Sequence, residues 1–161
     1  MTIWADADSL AREAKEYIGR RTRVADGQDK AEVRAVFVAD KPIGLPQGKL
    51  VSLKRVEQGT DAADTLICES AIPGDIIVTR DLPLAARALG LGLIAINDRG
   101  DRWDEGTLRE RLSLRDRAME LRQLGLAPAM QSGKSYGPKE AQAFARALDK
   151  AIHDALKKPL S

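Results

Sequence analysis

Short apolar runs alternate with stretches of helical periodicity along this chain, and that alternation constrains the fold more than any other feature. Thr2 to Asp6 is short, apolar and ends in acids. Arg34 to Ala39 is a second strand-like run, and Asp75 to Thr79 is the clearest buried one. Leu93 to Ile96 is a further buried run, and Leu50 to Val56 alternates apolar and polar residues as a half-buried strand does. Between them, apolar residues recur at helical spacing from Ser9 to about Arg21, from Thr60 to Ala71 and from Pro83 to Leu89. Strands alternating with helices imply a mostly parallel sheet covered by helices.

The punctuation agrees. Lys41 to Gly48 holds two prolines and two glycines and reads as a loop, Pro73-Gly74-Asp75 as a turn, and Gly90 as the stop of the Pro83 helix. Thr60 or Asp61 suits a helix N-cap, and Thr22 to Ala25 suits the start of a short extra strand. The character changes after Asn97-Asp98-Arg99-Gly100-Asp101. Glu105 to Leu124 reads as a long charged helix, Pro128 to Gly137 as a small, polar, mobile loop, and Pro138 to about Lys157 as a final amphipathic helix. The expected fold is α/β and three-layered. One domain spans 1–161, and a C-terminal helical part from about residue 104 packs on the core.

Composition excludes several functions. One cysteine, Cys68, permits no intramolecular disulfide, fits a reducing cytoplasm, and reads as a buried small hydrophobe. One histidine and one cysteine cannot build the usual zinc sites, and His153 reads as solvated. The first residues lack the basic and apolar regions of a signal peptide, and no apolar stretch is long enough for a membrane span. The net charge of +2 gives no global footprint for nucleic acid, so any such surface must be local. Arg109, Arg111, Arg115 and Arg117 stand among acids, which reads first as a solvated helix laced with i,i+4 ion pairs. Gly133-Lys134-Ser135 is no phosphate-binding loop, because Pro128 stands where the first glycine belongs and no strand precedes it.

The chemistry lies in the acids. Asp6 and Asp8 follow the first run, Asp61 and Asp64 stand three apart at a helix start, and Asp81 follows Asp75 to Thr79. Acids at the C-terminal ends of adjacent parallel strands can share one crevice, where open α/β sheets place their sites. Like charges there raise each other's pKa unless a cation or proton joins them. An all-oxygen donor set suits Mg²⁺ or Mn²⁺. Asp6, Asp8, Asp61, Asp64 and Asp81 are therefore the candidate metal ligands, with Asp6 and Asp81 the candidate catalytic residues. Asp8 and Asp61 suit helix caps as well. Thr79 could orient a water or an acid, Arg99 could contact phosphate, and Gly100 permits close approach.

These segments resemble the YaiI/YqxD family of bacterial proteins. The likeness runs through Asp6-Ala7-Asp8, Ala39-Asp40-Lys41-Pro42, Gly59-Thr60-Asp61-Ala62-Ala63-Asp64, Gly74 to Ala86 with its Thr79-Arg80-Asp81-Leu82-Pro83-Leu84-Ala85, and Asn97 to Gly100. It continues in Leu114-Arg115-Asp116 and in Gln142 to Asp149. The family resembles PIN-like nuclease folds, whose members bind Mg²⁺ or Mn²⁺ with clustered acids and cleave RNA. The resemblance implies a PIN-like domain with Asp6, Asp61 or Asp64, and Asp81 as ligands, and Asp98 as a candidate fourth acid. Two departures stand out: Ser9-Leu10 where the family commonly has Cys-Pro, and Asp98 where Pro is common. The expected function is metal-dependent hydrolysis of a phosphodiester in RNA, with RNA as partner and no membrane partner. A non-catalytic RNA- or nucleotide-binding module, or a phosphatase on small phosphoesters, would use the same crevice.

Overall fold

A computed structural model describes residues 1–27, 31–59, 61–126 and 135–157. Five strands form one sheet: β1 (Thr2–Asp6), β2 (Arg34–Ala39), β3 (Val51–Arg55), β4 (Ile76–Val78) and β5 (Ile94–Ile96). Their order is β3-β2-β1-β4-β5, and every neighbouring pair is parallel. The helices are α1 (Arg12–Arg20), α2 (Ala62–Ser70), α3 (Leu82–Gly90), α4 (Glu105–Gln123) and α5 (Pro138–Lys157). The chain adopts the expected three-layer α/β architecture, and its sheet is parallel throughout.

Strand alternation builds the layers, because successive side chains point to opposite faces. Ile3 and Ala5 of β1 join Phe37, Val78 and Ile96 on one face, covered by Ala14 and Ile18 of α1 and by Phe144, Leu148 and Ala151 of α5. Trp4 of β1 joins Val38, Ile77 and Ala95 on the other. Ile67 of α2, Leu84, Ala85 and Ala88 of α3, and Leu108 of α4 cover that face. No helix joins β2 to β3; the Pro- and Gly-containing loop does so. β3 is the half-exposed edge, where the Lys54 ammonium lies 5.8 Å from the Trp4 ring centre. No helix among the described residues is long and apolar enough to cross a membrane.

The structure corrects several local expectations. Thr22 to Ala25 forms no strand, only one antiparallel bridge between Arg23 and Val33. Gly90 is the last residue of α3, and the left-handed turn that stops the helix falls on Gly92, with φ of 80°. Asp61 stands at the N-cap position of α2 but makes no side-chain cap bond, and its backbone is left-handed at φ 69°. Thr60, most of the loop from Pro128, and Gly133-Lys134 lie outside the described residues. Asp8 does not open α1. It sits on a single 3-10 turn, Ala7–Ser9, and Ala11 occupies the N-cap position. Cys68 is half-buried rather than buried. Among the described residues no ion pair falls within α4, so its exposed face is not laced with them. Arg111/Arg115 and Asp116/Glu120 are like charges four apart, which do not stabilise a helix.

Candidate active site

β1 and β4 are neighbours although the chain visits two other strands between them. The strand order reverses between this pair, which makes their C-terminal ends the topological switch point where such sheets open a crevice. The register Ala5↔Val78 sets the next residues, Asp6 and Thr79, at that shared edge.

Thr79 is fully buried and ties the two ends together. Its Oγ1 donates to Asp6 Oδ2 at 2.7 Å and accepts from the Asp81 N–H at 3.0 Å. Asp81 Oδ1 accepts from the Leu84 N–H at 3.1 Å and so caps α3, with Pro83 in its first turn. Ser9 makes a second stitch. Its Oγ donates to the Asp6 carbonyl at 3.0 Å and accepts from the Arg80 N–H at 3.3 Å. The hydroxyl therefore holds the β1 and β4 loops together.

The carboxylates act on one another through charge. Burial pushes the Asp6 carboxyl above its ordinary range, and the charges of Asp81 and Asp8 push the same way; hydrogen bonds from Thr79 and Ser9 oppose them. Asp64, half-buried in the first turn of α2, is also raised, first by burial and then by Asp81, Asp6 and Asp61. Asp6, Asp64 and Asp81 thus feel one another's charge, with Asp8 acting on Asp6 and Asp61 on Asp64. Asp8 is exposed, and its Oδ2 accepts from the Asp40 N–H at 2.7 Å. Among the described residues, no three His, Cys, Asp or Glu side chains stand close enough to form a coordination group. Oxygen donors of this kind suit a hard divalent cation, while each carboxylate keeps its own hydrogen bond: Asp6 to Thr79, Asp81 to Leu84 and Asp8 to Asp40.

Arg99 and Gly100 sit at the end of β5 against α5. The Arg99 N–H donates to Asn97 Oδ1 at 2.9 Å, and its guanidinium lies 3.9 Å from the Glu140 carboxylate and 5.9 Å from the Tyr136 ring centre. Gly100 has φ of 92°, and a Cβ there would stand 2.7 Å from the Ala143 backbone. Close helix packing accounts for this glycine.

Two residues not singled out from sequence, Arg80 and Asp75, organise the crevice or its support. Arg80, between the two key residues, clamps Asp98 through Nε to Oδ1 at 2.8 Å and Nη2 to Oδ2 at 2.7 Å. Asp98 is fully buried, and its Oδ2 also accepts from the Ala11 N–H at 2.8 Å, capping α1 from a distance. Both oxygens of this candidate fourth acid are therefore already engaged. Asp75, at the opposite edge of the sheet, accepts from the Thr2 N–H, the Ile72 N–H and Trp4 Nε1. An arginine beside a strand-end acid was the available signal for Arg80.

The uncharacterised BCR, YaiI/YqxD family matches residues 4–154. The chain belongs to the YaiI/YqxD family. A UPF0178 protein of Psychromonas ingrahamii is 38% identical over 160 residues, covering 98% of this chain and 99% of that protein. UPF0178 proteins of Klebsiella pneumoniae and Syntrophobacter fumaroxidans are 37% and 39% identical, covering 93% and 94% of this chain. No solved structure matches. Family membership thus rests on nearly the whole chain, and the Asp6–Thr79–Asp81 unit lies inside the matched span.

Proposed function

We propose that this YaiI/YqxD protein is a divalent-metal-dependent nuclease acting on RNA. The observation that carries the reading is Thr79, which joins the Asp6 carboxylate to the Asp81 backbone across the switch point. Asp6, Asp64 and Asp81 would hold Mg²⁺ or Mn²⁺, with Asp8 and Asp61 contributing from the margins. The chemistry supplied by a cation held there would be a more acidic water for attack on a phosphodiester and an offset to phosphate charge. Asp6 and Asp64, whose carboxyls are held above their ordinary range, are the groups whose charged form a cation would stabilise. Thr79 orients Asp6, and α3 fixes Asp81. Arg80, positioned by Asp98, is exposed beside the acids, and its guanidinium suits a phosphate. Arg99 would contact phosphate from the end of β5, beside Glu140. The likeness of the family to PIN-like nucleases supports the same assignment.

The alternative is a non-catalytic RNA- or nucleotide-binding module. It is favoured by one observation: among the described residues the acids form no coordination group of three. Calorimetric titration of Mn²⁺ together with RNA cleavage separates the two readings. A nuclease binds Mn²⁺ saturably and yields product, and both are lost in Asp6→Asn/Asp81→Asn. Tight RNA binding without product on long incubation with Mn²⁺ overturns the nuclease and leaves the binding module.

A further inference from the structure

Helix α4 is poorly supported by its own fold. Leu108 is its only buried residue among those described, Leu112 is half-buried, and residues 113–123 are all exposed. A helical segment of that length is marginal alone in water, and the like-charge spacings of Arg111/Arg115 and Asp116/Glu120 make it more so. The exposed face nevertheless carries an apolar row. Leu114, Ala118 and Leu121 follow i, i+4, i+7, and Leu124 stands beside them; the leucines are 51%, 42% and 70% exposed in chain order.

The same face changes character along the helix. Thr107, Glu110, Arg111 and Leu114 line an open cavity of about 450 Å³ with Arg102 and Trp103. The first half of α4 thus presents a hollow, and the second half an apolar ridge. A surface with a hollow at one end and a ridge at the other is complementary to itself when reversed, as a two-fold symmetric interface requires.

We infer that α4 is a self-association surface on which a second copy of this chain packs antiparallel. Charge selects the register. Glu110 and Arg117 lie on the same flank of the exposed face, so reversal sets Glu110 beside Arg117 of the partner subunit, and the pair occurs twice. That register brings the partner's Leu121 level with Gly106, and the partner's Leu124 level with Trp103, at the mouth of the cavity. The inference needs neither metal nor RNA and stands apart from the proposed activity.

Sedimentation equilibrium of the full chain from about 10 to about 200 μM, the range of a modest interface, tests it. The expected wild-type mass is that of two chains, and Leu121→Glu/Leu124→Glu gives the mass of one with unchanged circular dichroism. Glu110→Arg or Arg117→Glu alone weakens the dimer by about fivefold or more, and the two combined restore it. This reversal involves only surface charges and reads out even where the leucine variants fail to fold. A single-chain wild type at the highest concentration, or a dimer indifferent to the leucines, overturns the inference and assigns the face to some other occupant. Failure of the combined reversal to restore the dimer overturns the antiparallel register.

Discussion

Asp98→Asn is the most direct test of how the crevice is built. The substitution changes one atom of a fully buried side chain that accepts from Nε and Nη2 of the Arg80 guanidinium and from the Ala11 N–H. The amide oxygen can still accept, but the amide NH₂ must face a donor, either the guanidinium or the α1 backbone. An unmet buried donor costs about 1–2 kcal/mol. The lost charge–charge contribution is discounted to about 1 kcal/mol, because the Arg80 side chain is 44% exposed and screened. The sum is about 2–3 kcal/mol. Unfolding entropy of about 2 cal/mol/K per residue converts this to a fall in Tm of roughly 6–9 °C for a chain of this size. Thermal and urea denaturation followed by circular dichroism reads it directly. Arg80→Lys, which keeps the charge but loses the fork, is expected to lower Tm by about half as much. A loss under about 2 °C for Asp98→Asn, with an unchanged native spectrum, refutes the claim that this pair anchors α1 to the β4 loop.

Asp6→Asn keeps an acceptor for Thr79 while removing a charge. The folded Asp6 pKa is raised, so its favourable contribution is present below the unfolded value and is lost as pH rises through the folded one. The variant should therefore be more stable than wild type at pH 7, an advantage that disappears below about pH 4; denaturation midpoints at the two pH values decide it. Gly100→Ala must adopt φ of 92° and meet the Ala143 backbone, so it should lose about 2 kcal/mol or more in urea denaturation. Asp75→Ala orphans the Thr2 and Ile72 N–H groups and the Trp4 indole, with an expected loss of about 3 kcal/mol and a changed tryptophan emission.

Much of the architecture was legible because burial and periodicity agreed. β1, β2 and α5 end where the apolar pattern ends, since each is a core element whose pattern is its packing. β4 spans Ile76–Val78, shorter than its run, although the Asp75 carbonyl and the Thr79 N–H still bond to β5 beyond its ends. Strand order was not legible. Nothing local says that β4 lies beside β1, yet this adjacency is what brings Thr79 to Asp6. The acids show the limit most clearly. Asp6, Asp81 and Asp98 all follow apolar strands, and only the tertiary setting makes two of them members of a charge cluster and the third an anchor for Arg80 and α1. α4 is the solvated helix its composition implies, but its i,i+4 spacings include like pairs, and no ion pair forms within it among the described residues.

Thr79 is where stability and proposed chemistry part company, which makes it the sharpest test of the acid cluster. Thr79 supplies no ligand charge, yet it is fully buried and engages both Asp6 and the Asp81 backbone. Thr79→Val keeps the shape and removes both hydrogen bonds, so stability should fall by about 1–2 kcal/mol. If the acids serve a cation, losing the group that orients them should also weaken Mn²⁺ binding about 10- to 100-fold, the usual effect of removing an outer partner of a ligand. Thr79→Ser retains the hydroxyl and should hold the wild-type affinity. If Asp6 and Asp81 serve only the loop and the α3 cap, both variants will show the same absence of Mn²⁺ binding as wild type, and only stability will separate them. Equal, intact Mn²⁺ affinity in all three proteins would break the link between Thr79 and the cation, and with it the observation on which the nuclease reading rests.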